Sequence, residues 1–273
     1  MTAAVSSIGI IAAAGALPRL VADAATAQGF NVFIVALRGI ADADYQGYRH
    51  QEIRVGAFDA ILKALKNEGC QQVIMTGKFI RPAMTSVLPD LRASRLLLKL
   101  FSSGDNAALE MIRDEFASEG IEILDIGSFL SDAMASEGVI HGTAPDEKTW
   151  ASISQGRDLL ASLGPFDIGQ ALVIQGSRVL AIEAAEGTDA MLERCQGLVD
   201  TGIGPAVFIK LRKPQQDGRL DPPVIGATTA RLAVEAGISV IAVEAGGVLI
   251  AEQDEVSSIA SAQGLTITGI ASA

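Results

Sequence analysis

Val179-Leu-Ala-Ile-Glu-Ala-Ala-Glu-Gly-Thr-Asp189 is the stretch that decides the fold of the C-terminal half. Its apolar run predicts a buried strand, Gly187 predicts a turn, and Thr188 is a typical cap for a following helix. Three carboxylates follow the strand: Glu183, Glu186 and Asp189. The stretch therefore predicts a strand, a turn and a helix, with acidic side chains at the end of the strand.

A second stretch also carries charged residues at the end of an apolar run. It reads Ile209-Lys-Leu-Arg-Lys-Pro-Gln-Gln-Asp-Gly-Arg-Leu-Asp-Pro-Pro-Val-Ile-Gly226. Charges that stabilise a helix surface normally recur at i,i+4 spacing. Here cations and carboxylates are concentrated at a strand end and in Gly/Pro turns, which indicates a binding site. The charged residues are Lys210, Arg212, Lys213, Asp217, Arg219 and Asp221.

Working outward, apolar strands alternate with helical segments along the whole chain, which predicts an α/β fold. Residues 6–15, 31–37 and 72–76 predict the parallel strands of a Rossmann-like sheet. Residues 171–175 and 178–182 flank Gly-Ser and predict a hairpin, so the second half is a mixed α/β unit. Residues 136–147 carry Gly, Pro, Ser and acidic residues without a period, a pattern typical of a linker. The predicted domains are 1–135 (Rossmann-like), 136–148 (linker) and 149–273 (C-terminal catalytic α/β domain).

Composition argues against several classes of function. The 273 residues are 49% apolar and 19% charged, so the chain can bury a large core and disorder is not expected. The net charge of −11, without a basic tract, argues against a nucleic-acid partner. The two cysteines and two histidines are isolated, so neither a zinc site nor a disulfide is predicted. No apolar run predicts a membrane span, and the expected location is the cytoplasm.

The turn after the first strand resembles a dinucleotide-binding turn only weakly. The spacing G-x-G-x-x-G is absent from Ala12-Ala-Ala-Gly-Ala-Leu-Pro18, so a tight strand-to-helix connection is the favoured interpretation. The second strand ends at Leu37-Arg38-Gly39 without an acid for a ribose hydroxyl, which weakens an NAD site. Lys78 and Arg81 follow the strand at 72–76 and suit an anion, although a solvated loop explains them equally well.

Several motifs together resemble the LpxI-type UDP-2,3-diacylglucosamine pyrophosphatases. Their order and spacing, rather than any single string, make the resemblance specific, and it spans almost the whole chain. The motifs are Ala14-Gly-Ala-Leu-Pro18, Gly77-Lys-Phe-Ile-Arg-Pro82, Gly104-Asp105, Asp167-Ile-Gly-Gln170, Glu183-Ala-Ala-Glu-Gly-Thr-Asp-Ala-Met191, Lys213-Pro-Gln-Gln-Asp217, Asp221-Pro-Pro-Val-Ile-Gly226 and Ala242-Val-Glu-Ala-Gly246.

The resemblance implies a hydrolase that cleaves the pyrophosphate of UDP-2,3-diacylglucosamine. The implied products are UMP and 2,3-diacylglucosamine 1-phosphate (lipid X), in lipid A biosynthesis. It further implies a divalent cation, Mg²⁺ or a substitute such as Mn²⁺, a homodimer, and peripheral contact with the inner membrane. Two other classes stay open: a nucleotide-binding oxidoreductase and a non-enzymatic sugar-nucleotide sensor.

The resemblance and the chemistry of the side chains give a set of candidate site residues. Carboxylates are hard ligands for Mg²⁺, lysines can neutralise phosphate oxygens, and the helix predicted after Gly226 offers N–H groups to a phosphate. For each carboxylate, a cap, a salt bridge or, at Asp221, a turn before proline is the structural alternative. The catalytic candidates are Asp221, Asp217 and Lys210, and the metal ligands are Glu183, Asp189 and Asp221. The substrate-binding candidates are Gln170, Thr188, Lys213, Gly226, Thr228, Lys78 and Arg81, and the last two are expected to face the C-terminal domain across a cleft.

Overall fold

The apolar runs of the N-terminal half form a parallel sheet. The computed structural model describes residues 6–78, 89–90, 92–94, 105–166, 168–200, 202–213 and 222–272. Within this part of the chain, contacts divide the protein into two units, with the division between Leu130 and Ser131. The fold class predicted from the sequence, two α/β units, is confirmed.

The first unit contains five strands in the order β3-β2-β1-β4-β5, and every neighbouring pair is parallel. This arrangement confirms the Rossmann-like prediction, with the first strand at the centre of the sheet. The strands are β1 Ser7–Ala12, β2 Asn31–Arg38, β3 Arg49–Arg54, β4 Gln72–Thr76 and β5 Glu122–Ile123. The helices are α1 Leu17–Ala27, α2 Phe58–Asn67 and α3 Asp105–Ser118.

The central strands are apolar because they are covered on both sides. All residues of β2 between its two end residues are buried, as are all residues of β1 after Ser7. Pro18 lies in the first turn of α1, where its missing N–H leaves no hydrogen bond unmade. One face of α2 buries Phe58, Ile61 and Leu65 against the sheet.

The second unit is built on a six-stranded mixed sheet with the strand order β6-β13-β11-β9-β7-β8. The three central strands β9, β11 and β13 are parallel, while β6, β7 and β8 pair antiparallel with their neighbours. A separate pair joins β10 and β12. The strands are β6 Gly138–His141, β7 Ala171–Gln175, β8 Arg178–Ile182, β9 Ala206–Lys210, β10 Val224–Ile225, β11 Val240–Glu244, β12 Leu249–Ile250 and β13 Thr266–Ile270.

Helices cover both faces of this sheet. On one face α4 packs Ile153 and Leu160 against the sheet, and α5, α6 and α7 contribute to the core on the other face. The helices are α4 Glu147–Leu163, α5 Gly187–Glu193, α6 Ala227–Glu235 and α7 Gln253–Gln263. No helix in the described ranges combines the length and apolar character that crossing a lipid bilayer requires.

Two parts of the prediction need correction. The stretch expected to be a linker, residues 136–148, is partly regular: residues 138–141 form β6, which pairs with β13, and α4 begins at Glu147. The strand β3, Arg49–Arg54, was not predicted, since five of its six residues are exposed and only Ile53 is buried. Both β3 and β6 are edge strands, which are held by backbone pairing and need no apolar face.

Candidate active site

Four strand ends of the second unit meet along one edge of its sheet, the edge formed by the carboxyl ends of its parallel strands. The parallel strands β9 and β11 end there at Lys210 and Glu244, and the antiparallel strand β7 begins there at Ala171. The strand β8 ends at the same edge, where the N–H of Glu183 donates to the carbonyl of Ala171 at 2.9 Å. Ligands of parallel sheets bind at the carboxyl ends of the strands, so this edge is the candidate active site.

A buried chain of hydrogen bonds connects the two stretches quoted above. The Nζ of Lys210 donates to Oγ1 of Thr188 at 3.1 Å, and this hydroxyl donates to Oε1 of Glu183 at 2.8 Å. The other carboxylate oxygen of Glu183 accepts the backbone N–H of Gln170 at 3.0 Å. Lys210 also donates to the carbonyl of Val224 at 2.8 Å. The sequence predicted the charge of this cluster, and the structure places its members in contact.

Burial defines what this cluster does. Glu183 and Lys210 are only 6% and 5% exposed, and buried charges are stable only where hydrogen bonds and opposite charge compensate them. Thr188 is therefore a link between the acid and the lysine. Its prediction as a helix cap is wrong, because Glu186 holds the cap position of α5 and no side chain bonds there.

The exposed acid of the same turn, Glu186, forms an ion pair. Its Oε1 lies 3.0 Å from Nη2 of Arg194, and the same guanidinium donates to the carbonyl of Ile182 at 2.6 Å. A hydrogen bond from its own backbone N–H, followed by the Arg194 guanidinium, holds the pKa of Glu186 below its ordinary value. Glu186 therefore fixes the turn between β8 and α5.

A cleft of about 420 Å³ opens at this edge of the sheet. The two cationic residues of its lining, Arg212 and Lys213, come shortly after β9, and Gln170 precedes β7. The Oε1 atom of Gln170 is buried and finds no hydrogen-bond partner among the described residues. Such a group is rare in a folded protein and indicates a place where a ligand or water supplies the missing contact. The lining residues are Leu160, Ala161, Gly164, Gly169, Gln170, Leu211, Arg212, Lys213, Glu244 and Ser272.

Glu244 is a site residue that the sequence prediction missed. It ends β11, it is 3% exposed, and its Oε2 accepts the backbone N–H of Arg212 at 2.9 Å. A usable signal existed, since β11 is an apolar run that ends in glutamate, the same pattern as the run that ends at Glu183. The cleft thus has a buried acid beside its two cations.

The N–H groups at the start of the helix after Gly226 were expected to be available to a phosphate, and the structure shows otherwise. Gly226 caps α6, but the N–H of Ala227 donates to Oε2 of Glu252 at 3.1 Å. Glu252 has a left-handed backbone, with φ of 53°. A carboxylate of the chain itself therefore occupies the first N–H of this helix, where negative charge is favoured. Thr228 is exposed in the first turn of α6.

The remaining candidates lie elsewhere or outside the described residues. Lys78 belongs to the first unit, where its backbone pairs with Ala14 beyond the end of β4. Asp189 is half-buried on α5. Three candidates lie outside the described residues, namely Arg81, Asp217 and Asp221. The expected arrangement of Lys78 and Arg81 opposite the second unit stays a prediction.

The described residues alone do not fit a metal centre. Within the ranges that the structure describes, no three His, Cys, Asp or Glu side chains form a group able to hold a metal ion. Glu183, one of the predicted ligands, already uses both carboxylate oxygens as hydrogen-bond acceptors. A metal site with the predicted ligands therefore depends on Asp221.

Comparisons with known proteins cover both units. A family model described as the LpxI N-terminal domain matches residues 7–133, and one described as the LpxI C-terminal domain matches residues 136–268. A relative from Caulobacter vibrioides is 35% identical over 271 residues, which is 96% of this chain and 97% of the relative. That relative is named UDP-2,3-diacylglucosamine pyrophosphatase LpxI.

Proposed function

The chain belongs to the LpxI family, and from this premise we propose that it hydrolyses the pyrophosphate of UDP-2,3-diacylglucosamine. The observation that carries the proposal is the match along 96% of the chain to a relative with that named activity. In the reaction, water attacks one phosphorus and the bond between that phosphorus and the bridging oxygen breaks. The products are UMP and 2,3-diacylglucosamine 1-phosphate, an intermediate of lipid A biosynthesis.

The cleft supplies the groups that hydrolysis at phosphorus needs. A pyrophosphate carries several negative oxygens, and fixed cations stabilise the charge that develops on them in the transition state. We assign Arg212 and Lys213, which line the cleft, to the phosphate oxygens. The amide of Gln170, whose Oε1 is buried there without a partner, is assigned to a hydrogen-bond donor of the substrate.

The Glu183, Thr188 and Lys210 cluster supports this edge. Lys210 is buried and donates to Thr188 and to the carbonyl of Val224, so its ammonium connects β9 with α5 and with β10. We therefore assign Lys210 to holding the site together, with its positive charge adding to the field at the phosphates. Thr188 and Glu183 orient that ammonium.

Asp221 is the proposed essential carboxylate, and Asp217, earlier in the same segment, is the second proposed catalytic acid. Both belong to the segment between Lys213 and Gly226, and both ends of that segment are fixed at the candidate site by described contacts. A carboxylate there would orient the attacking water or hold a divalent cation. Thr228, Lys78 and Arg81 complete the proposed substrate-binding set, with Gly226 only if Glu252 gives up its bond to the N–H of Ala227.

A divalent cation, Mg²⁺ or Mn²⁺, is proposed as the cofactor. When bound it would neutralise phosphate charge, and its ligands would be Asp189 and Asp221, with Glu183 only if that carboxylate gives up a hydrogen bond. We also propose a homodimer in the cytoplasm that contacts the inner membrane peripherally, because two acyl chains anchor the substrate in a bilayer.

The deciding experiment measures UMP release by the purified chain from UDP-2,3-diacylglucosamine in mixed micelles, with and without EDTA. UMP release supports the hydrolase, and its loss in EDTA with recovery in Mg²⁺ supports the metal. In H₂¹⁸O, mass spectrometry of the products shows which phosphorus water attacks. UDP-N-acetylglucosamine, which lacks the acyl chains, is the control substrate.

Two results would redirect the assignment. Binding of the lipid nucleotide without UMP release favours a sugar-nucleotide sensor. Tight binding of NAD(H) together with no UMP release favours an oxidoreductase. Either result contradicts the proposed hydrolysis.

A further inference from the structure

The starting point is the contact between Glu244 and the first residues after β9. Oε2 of Glu244 accepts the backbone N–H of Arg212 at 2.9 Å, and its Oε1 lies 3.7 Å from Nη2 of the same arginine. The neighbouring N–H, that of Leu211, donates to the carbonyl of Gln170 at 3.0 Å. The chain is thus held from two sides at the point where it leaves the sheet.

The exposure of the two charged groups differs sharply. The side chain of Glu244 is 5% exposed and that of Arg212 is 45% exposed, and both residues line the cleft. A buried carboxylate is costly unless it is paired, so a buried glutamate at a cleft wall needs a reason. Its contacts supply one, because the acid binds the arginine through both the backbone and the guanidinium.

Gly247 lies directly against the side chain of Glu244. A Cβ added to Gly247 would lie 2.5 Å from Oε1 of Glu244 and 2.8 Å from its Cγ. Glycine at position 247 therefore allows the glutamate side chain to lie where it meets Arg212. In this position the carboxylate meets both the backbone N–H and the guanidinium of Arg212, and an exposed arginine needs such a partner to be oriented.

We propose that Glu244 is a positioning residue, which holds Arg212 and the adjacent Lys213 at the cleft wall where they bind a phosphate of the nucleotide substrate. The inference rests on the proposed function and adds to it the residue that orients the anion-binding side chains. Glu244 itself does not touch the substrate in this assignment, since like charge would repel a phosphate.

The test is a comparison of KM and kcat for Glu244→Gln in the full chain. Glutamine keeps the size and can still accept the Arg212 N–H, but it loses the charge that holds the guanidinium. We expect KM to rise roughly tenfold, the scale of one charge-assisted contact, with kcat changed less than about threefold. A merely structural role would lower the melting temperature and leave KM of the folded fraction unchanged.

A double-mutant cycle shows whether the effect passes through the arginine. In an Arg212→Met background, Glu244→Gln should raise KM less than about twofold, because the group it positions is gone. Equal factors in both backgrounds would overturn the proposal. Glu255→Gln is the matched control, since Glu255 pairs with Arg231 at 2.6 Å on an exposed surface, and its KM should stay at the wild-type value.

A second variant covers the case in which Glu244→Gln does not fold. Gly247→Ala keeps the acid but displaces it, so KM should rise in the same direction, and an unchanged KM contradicts the proposal. Calorimetry with UMP separates this inference from the proposed function. If the wild type binds UMP but releases none from the lipid nucleotide, the hydrolase assignment fails, while a weaker Kd for UMP in Glu244→Gln still supports positioning.

Discussion

Gly169 stands at a point of close approach beside the site, and replacing it with alanine should damage the second unit. Its φ is +48°, and an added Cβ would lie 2.0 Å from the carbonyl oxygen of Glu183. Ordinary contact of a Cβ begins near 3.4 Å, so the backbone around Glu183 must move. Gly169→Ala therefore strains the residue itself and also pushes the end of β8 away from β7.

Gly176 offers a matched control at the other end of β7. It also has a positive φ, +58°, but an added Cβ meets nothing within 4 Å. Gly176→Ala should therefore cost only the left-handed backbone strain, about 1–2 kcal/mol. Gly169→Ala adds the cost of forcing atoms into a filled space, about 1–3 kcal/mol, for a total of roughly 2–5 kcal/mol.

Trp150 makes the measurement specific to the second unit. It is the only tryptophan of the chain and lies in α4, so its fluorescence reports unfolding of that unit. Urea titrations followed at Trp150 give the two free energies of unfolding. If both variants lose the same stability within about 0.5 kcal/mol, the contact with Glu183 is not a constraint and the reasoning is refuted. UMP release by Gly169→Ala should fall as well, since Gln170 and Glu183 move with it.

Three further perturbations test other parts of the structure. Asp221→Ala should abolish UMP release while the melting temperature stays normal, and near wild-type turnover with a normal melt would reject its catalytic assignment. Lys210→Met should lower the stability of the second unit by about 1–3 kcal/mol, because the carbonyl of Val224 loses a buried donor, and an unchanged urea midpoint at Trp150 would contradict this. Burial, followed by the charge of Glu68, raises the pKa of the Cys70 thiol to about 11, so Cys70 should resist iodoacetamide at pH 8 until the first unit unfolds. Rapid alkylation of the native protein, seen by mass spectrometry, would show that this thiol is accessible and ionised.

The sequence predicted those elements whose residues are buried on both faces. The apolar runs that became β1, β2, β4 and β9 have this property, and the Gly176-Ser177 turn gave the hairpin of β7 and β8. The edge strands β3 and β6 were not predicted, because neither has a buried apolar run or a hairpin turn that marks it in the sequence. The side chains of β6 do not form a buried apolar face, and Val139 remains 44% exposed.

The site was predicted in composition but only partly in geometry. The sequence placed Glu183 and Lys210 each at the end of an apolar run, and the structure links the two through Thr188. The role of Thr188 depended on a contact with Lys210, which is 22 residues away in sequence, and local cap rules carry no information on such a contact. Likewise, the pairing of Glu252 with the helix end after Gly226 spans 25 residues and follows from tertiary packing.

The bond from Lys210 to the carbonyl of Val224 has a consequence for how the chain between them can change. The two residues are 14 positions apart, and the bond joins the end of β9 to the start of β10. Joining two points of a chain at this separation costs about 2 kcal/mol in chain entropy, and doubling the separation adds only about 0.6 kcal/mol. The chain-entropy cost of this closure therefore depends only weakly on how many residues lie between the two anchors. The contact between β9 and β10 at the site is thus set by Lys210 itself rather than by the length of chain that separates the two strands.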